Sequence, residues 1–223
     1  MTLQAIIFDL DGVITDTAHF HYLAWKELAD GLGVPFDEAF NEQLKGVSRM
    51  DSLELILKRG DLTLSLEDKE RYAAQKNTRY VELLANLTPT DILPGVAELL
   101  AALRERGLRC ALASVSKNAP TVLKALDLQD TFDVVVDAAI LKNSKPDPEI
   151  FVRACSGLGI SANEAIGIED AQAGIESINR AGIISVGIGS GLKHADMTLA
   201  GTSLLSLGLL EQLYHTIVSR ETI

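Results

Sequence analysis

The chain has few cysteines, a deficit of positive charge and no long apolar run. Only Cys110 and Cys155 occur among 223 residues, each in an apolar context. Buried thiols are therefore expected rather than a disulfide framework. Twenty Lys and Arg stand against 31 Asp and Glu, a net charge of −11, which argues against nucleic acid as a partner. It leaves a small anion open, because a local pocket of Lys and Arg can hold one on an acidic protein. No apolar stretch approaches the roughly 20 residues of a membrane helix. The first strand starts so near Met1 that no signal peptide is expected before it. Internal repeats and low-complexity segments are missing as well. The expectation is a cytoplasmic protein without membrane contact.

What is present is core material. Hydrophobic residues make up 47% of the chain, enough for one large domain or a domain with a smaller one inserted. Residues 5–8 form a short apolar run that reads as a strand buried on both faces. From 18 to 86 the spacing is helical throughout. Helices are expected over 18–32, with Thr17 or Asp16 as cap, and over 37–44. Two more follow the capping-box patterns at Ser48–Asp51 and Ser65–Asp68. After Pro94, helix and strand alternate. Helices are expected over 95–106, 118–126, 148–158, 171–181 and 207–218, and strands over 108–113, 132–136, 165–168 and 183–188. Such alternation predicts an α/β fold, a parallel sheet with helices on both faces. The first strand precedes the helical stretch, so the sheet closes across an insert. The expected organisation is a core of residues 1–15 and 93–223 with a helical domain of 16–92.

The chemistry gathers where strands end, which is where ligands bind in such sheets. The first strand runs into Asp9-Leu10-Asp11-Gly12. Asp9 and Asp11, at i and i+2, can face one spot, and a divalent cation with a preference for hard oxygen would relieve their repulsion. Asp-x-Asp-Gly also occurs in calcium loops and in ordinary turns. The second strand ends in Ser114-Val115-Ser116-Lys117-Asn118 before a helix, a setting suited to phosphate or to simple capping. Lys145 sits between Ser144 and Pro146 in a proline-stiffened loop. Glu169-Asp170 follows the fourth strand, where acids can favour a helix start or complete a metal site.

In this order the four segments resemble the motifs of the haloacid dehalogenase superfamily, whose sheet is Rossmann-like. The resemblance implies that Asp9 is a nucleophile that becomes phosphorylated and that Asp11 is a general acid/base. It implies that Ser114 and Lys145 hold the transferring phosphoryl group. Mg2+ would be bound by Asp9, the Asp11 carbonyl and the Glu169-Asp170 pair, with Asp170 the surer direct ligand.

The helical stretch is similar to the cap of β-phosphoglucomutases, through Asp16–His21, Ala24-Trp25-Lys26, Lys45-Gly46-Val47-Ser48-Arg49, Asp51-Ser52-Leu53 and Lys76-Asn77. The resemblance fades after Gly191 and over 60–65. It implies a monomeric phosphomutase acting on a small phosphorylated sugar, with glucose 1,6-bisphosphate as intermediate and activator. The substrate would be held by Asp9, Leu10, Asp11, His21, Trp25, Lys45, Gly46, Val47, Ser48, Arg49, Ser52, Lys76, Ser114 to Asn118, and Lys145. Val115 departs from the alanine expected in the close family. Arg49, Ser116, Lys117 and Asn118 would form a second phosphate site, and His21 would couple cap closure to Asp11. A sugar-phosphate phosphatase on the same fold needs only one phosphate site. A non-catalytic phosphosugar-binding module would need no nucleophile, and a dehalogenase would need neither Asp11 nor a metal.

Overall fold

A computed structural model of the protein describes residues 2–221. Its strands are β1 (Ala5–Phe8), β2 (Arg109–Leu112), β3 (Val134–Val135), β4 (Ala165–Glu169), β5 (Ile184–Ile188) and β6 (Met197–Leu199). They form one sheet in the order β3-β2-β1-β4-β5-β6, and every pairing is parallel. β1 is wholly buried, and its alternation divides the core. Ile6 and Phe8 belong to one apolar cluster, Ala5 and Ile7 to another, as side chains of period two on a two-faced sheet must. On the first face lie α5 (Val96–Arg106), α6 (Ala119–Ala125) and α9 (Leu207–Glu221), through Leu99, Leu103, Val122, Leu210 and Tyr214. On the second lie α7 (Glu149–Leu158) and α8 (Gln172–Arg180), through Ile150, Phe151, Ala154 and Ile178.

Between β1 and α5 the chain is helical: α1 (Ala18–Gly31), α2 (Glu38–Asn41), α3 (Arg49–Arg59) and α4 (Leu66–Leu83). These helices have an apolar cluster of their own, with Trp25, Leu28, Phe40, Leu53, Ile56, Leu57 and Ala73. Ala24, Tyr80 and Leu84 join the first sheet cluster instead. Ser48 and Ser65 cap α3 and α4, accepting from the Asp51 and Asp68 amides, as the capping-box patterns predict. The segment's two connections run side by side. Thr15 bridges Ile92, Thr15 Oγ1 donates to the Asp91 carbonyl at 2.8 Å, and the Leu93 amide donates to the Ile14 carbonyl at 2.9 Å.

The structure differs from the expectations at three points. Neither Asp16 nor Thr17 caps α1 with its side chain; the Thr17 hydroxyl is donated to Asp11 Oδ1 instead. β6 was not expected: it is three partly exposed residues at the sheet edge, too short to show a period. The expected strand over 132–136 shrinks to two paired residues, also at an edge.

Candidate active site

The sheet register gathers the chemistry. Phe8 is level with Leu112 and with Ile168. The residues just beyond are therefore neighbours: Asp9 after β1, Ser114 after β2, and Glu169 with Asp170 at the end of β4. Gly12 turns the chain at φ 76°, and a side chain there would run into the Asp170 carboxylate. Only glycine meets both demands.

Lys145 reaches this point from the loop after β3. Its ammonium lies 2.6 Å from Asp9 Oδ1 and 2.6 Å from Glu169 Oε1, with its side chain fully buried. Burial opposes its charge, but the two carboxylates outweigh that and raise its pKa. The other Glu169 oxygen accepts from the Ala171 amide at 2.7 Å. Burial is also the main influence on the acids. It pushes Asp9 up to about 6 against the pull of Lys145, and Asp170 up to about 7 with Glu169 adding repulsion. Asp11 is driven well above the usual carboxylate range by burial and then by the Asp9 and Asp170 charges. Ligand oxygens of Asp9, Glu169 and Asp170 lie within 4.8 Å of one another. Three carboxylates at that spacing offer the hard oxygen set that suits a divalent cation.

The helical segment closes over these residues and completes a pocket of 460 Å³. It supplies His21, Trp25, Lys45, Gly46, Val47, Ser48, Arg49, Ser52 and Lys76 to the wall; the sheet side supplies Asp9, Asp11, Ser114, Val115, Ser116, Lys117, Asn118 and Asp170. Of the residues expected in the site, Leu10, Lys145 and Glu169 do not line the pocket. Leu10 points into the apolar core, because residues i and i+1 of an extended chain face opposite ways. Lys145 and Glu169 lie buried beneath Asp9.

Several polar contacts join the segment to the sheet side. Ser144 Oγ accepts from the Ser48 amide at 3.0 Å and donates to Asp51 Oδ2 at 2.7 Å. Asn118 Nδ2 donates to Asn77 Oδ1 at 2.8 Å. Lys45 Nζ lies 3.1 Å from Asp170 Oδ2. Gly46, at φ 71°, lets the segment approach Lys145 so closely that an added Cβ would sit 3.3 Å from its Cδ.

A chain of half-buried contacts leads from the segment to Asp11. Lys76 Nζ is 2.7 Å from His21 Nδ1, and His21 Nε2 is 3.8 Å from Asp11 Oδ2. Burial, then the Lys76 and Arg49 charges, hold the His21 pKa well below its ordinary value. In a neutral imidazole that accepts from Lys76 at Nδ1, the proton sits on Nε2, which faces Asp11. Lys76 is lowered to about 7 by burial and by Arg49. Its ammonium faces the Trp25 and Tyr80 rings at 4.7 and 4.8 Å, and Tyr80 stacks on His21 at 4.0 Å.

Sequence reasoning assigned no site role to Thr17, Asn77, Tyr80 or Ser144. Thr17 and Ser144 flank recognised motif residues, and proximity to those motifs was the available signal. Tyr80 lies one helical turn after Lys76, which puts both on one face of α4.

The haloacid dehalogenase-like hydrolase pattern matches residues 3–182. The β-phosphoglucomutase of Bacillus subtilis is 44% identical over 99% of this chain and 100% of its own length. A phosphorylated-carbohydrate phosphatase of Thermotoga maritima is 32% identical over 81% of this chain and 82% of its own. The solved β-phosphoglucomutase structure from Clostridium difficile superposes with a TM-score of 0.96 at 44% identity, covering 98% of this chain and 100% of that one. The chain belongs to the haloacid dehalogenase-like hydrolase family, in the group that contains the β-phosphoglucomutases.

Proposed function

We propose that this protein is a phosphomutase that interconverts β-D-glucose 1-phosphate and D-glucose 6-phosphate through a phospho-aspartate and β-glucose 1,6-bisphosphate. Arg49 carries the reading. It is a partly buried guanidinium on the pocket wall, its pKa lowered by burial, and among the described residues it makes no ion pair. A pocket guanidinium that no carboxylate pairs among the described residues suits a ligand phosphate, which it can grip with two hydrogen bonds. Lys117 lines the same pocket and likewise has no ion pair among the described residues. These cations, with Ser116 and Asn118, form the second phosphate site that a bisphosphate needs. The first is at Asp9, Ser114 and Lys145.

Asp9 is the nucleophile. Its phosphorylated form gives the phosphoryl group to the sugar 6-hydroxyl while Asp11 accepts the proton. The bisphosphate then turns within the pocket. Asp9 removes the 1-phosphate, and Asp11 returns the proton to the leaving oxygen. The raised pKa of Asp11 suits a group that must hold a proton near neutral pH. Lys145 neutralises charge at Asp9, and the Lys76–His21 pair orients Asp11 once the cap is closed.

The donor set fits Mg2+. Asp9 and Asp170 would hold it directly with the Asp11 carbonyl. Glu169, with both oxygens already engaged by Lys145 and Ala171, would act in part through water. The ion supplies neutralisation of phosphoryl oxygen charge. Residues 1–15 and 93–223 form the catalytic core and 16–92 the cap. The cap must close to keep water from the aspartyl phosphate. One chain provides both phosphate sites, consistent with a monomer.

The test is incubation with β-glucose 1-phosphate, magnesium and a trace of the bisphosphate, with glucose 6-phosphate and inorganic phosphate both measured. Glucose 6-phosphate well in excess of inorganic phosphate is expected. Stoichiometric inorganic phosphate would replace the mutase with a phosphatase.

A further inference from the structure

We propose that Lys45 of the cap competes with the divalent cation for the Asp170 carboxylate, so that metal binding and cap engagement oppose each other. This rests on the metal site proposed above. Each acid of that site already has an ammonium beside it. Lys145 serves Asp9 and Glu169, and Lys45 serves Asp170. The two lysines are held very differently. Lys145 is fully buried in the core loop and bonded to both of its partners at 2.6 Å. Lys45 is 25% exposed, lies on the cap segment, and reaches Asp170 at 3.1 Å across the cap–core boundary.

Lys45 also has somewhere to go. Glu42 Oε2, on its own segment, is 3.2 Å away and mostly exposed. An ammonium pushed off Asp170 keeps that partner, so its release leaves no stranded charge. A cation bound by Asp9 and Asp170 would put two positive charges on one carboxylate, and Lys45 is the one with a flexible stem and an alternative. Lys45–Asp170 is moreover one of the polar contacts between cap and core, beside Ser144 with Ser48 and Asp51, Asn77 with Asn118, and Thr17 and His21 with Asp11. Releasing it loosens one of these clasps. Coupling of this kind is reciprocal: what weakens the clasp must strengthen the metal.

The experiment is calorimetric titration of MgCl2 into the full-length, substrate-free protein, comparing wild type with Lys45→Met, Lys45→Gln and Lys117→Met. Lys117→Met removes the same unit charge from another part of the pocket wall. Both Lys45 variants should bind magnesium roughly threefold to tenfold more tightly, the range expected for a partly buried ion pair. Lys117→Met should stay within about twofold of wild type on the same scale. Equal affinities in wild type and the Lys45 variants overturn the proposal alone. Equal tightening by Lys45 and Lys117 variants also overturns it, since that would be a general field effect. A wild type that binds no magnesium overturns the metal site and this proposal together.

Discussion

Asp9 and Asp11 carry the same group two residues apart and differ in what touches it. Asp9 is tied to Lys145 within the core, whereas Asp11 is met by Thr17 and His21 from the start of α1. The first pairing favours a carboxylate ready to attack, the second an acid whose proton is handled by cap-borne groups. Asp9→Asn keeps the shape but cannot form the acyl phosphate. Steady-state turnover should fall below a few per cent of wild type with the circular dichroism spectrum unchanged, and higher activity would remove Asp9 as nucleophile. Asp11→Asn should still bind magnesium through its backbone carbonyl and lose proton transfer, about 100- to 10,000-fold in turnover. A variant that fails to bind metal yet turns over at saturating magnesium would reverse that assignment. The strand-end residues Asp9, Ser114, Lys145 and Asp170 were legible because motif order along the chain maps onto neighbouring strand ends. Tyr80, Asn77 and Ser144 were not, because each is chosen by what lies across a gap: His21, Asn118 and the α3 cap respectively. No local spacing encodes those partners.

At the scale of elements, α3 matters most. Its cap residue Ser48 both accepts from Asp51 and donates its own amide to Ser144, and its first residue is Arg49. Arg49 therefore enters the pocket from a helix start fixed to the core. Arg49→Ala should lower mutase efficiency at least ~10-fold, about 1.4 kcal/mol of transition-state stabilisation. Hydrolysis of acetyl phosphate, which has no second phosphate, should change far less on the same preparation. Equal losses would assign Arg49 to cap closure in general; no loss in either assay would favour the phosphatase reading. Most helices were readable to within a residue or two, because caps are local signals: Ser48 and Ser65 act as expected. The exceptions are the helix expected over 207–218, which runs on to Glu221, and that over 37–44, which is α2 followed by a 3-10 turn. The central strands were readable as apolar runs. The edge strands β3 and β6 were less so, since half-exposed residues carry neither a run nor a full alternation.

At the scale of the molecule, the cap and core meet over a pocket whose contents must be kept from water. Ser144 holds the two together through a donor and an acceptor at once, and its hydroxyl bonds none of Asp9, Asp11, Ser114 and Lys145. Ser144→Ala should raise the share of inorganic phosphate among products by roughly fivefold or more, the scale of two lost hydrogen bonds at about 0.5 kcal/mol or more each. Measuring both products in one reaction checks this, and an unchanged ratio would exclude the clasp from water exclusion. The adjoining passes at Thr15 and Ile92 act on a different process, the search of the unfolded chain for its sheet. β1 must find β2, which lies about 100 residues along, and loops of that length are slow to close. Once the intervening helices have folded around their own cluster, their two ends lie side by side, and the loop left to close is roughly 30 residues long. At about 0.6 kcal/mol for each doubling of loop length, folding the insert first lowers the entropic cost of pairing β1 with β2 by about 1 kcal/mol. The segment that covers the pocket in the finished protein is thus also a splint on which the central strands are brought into register.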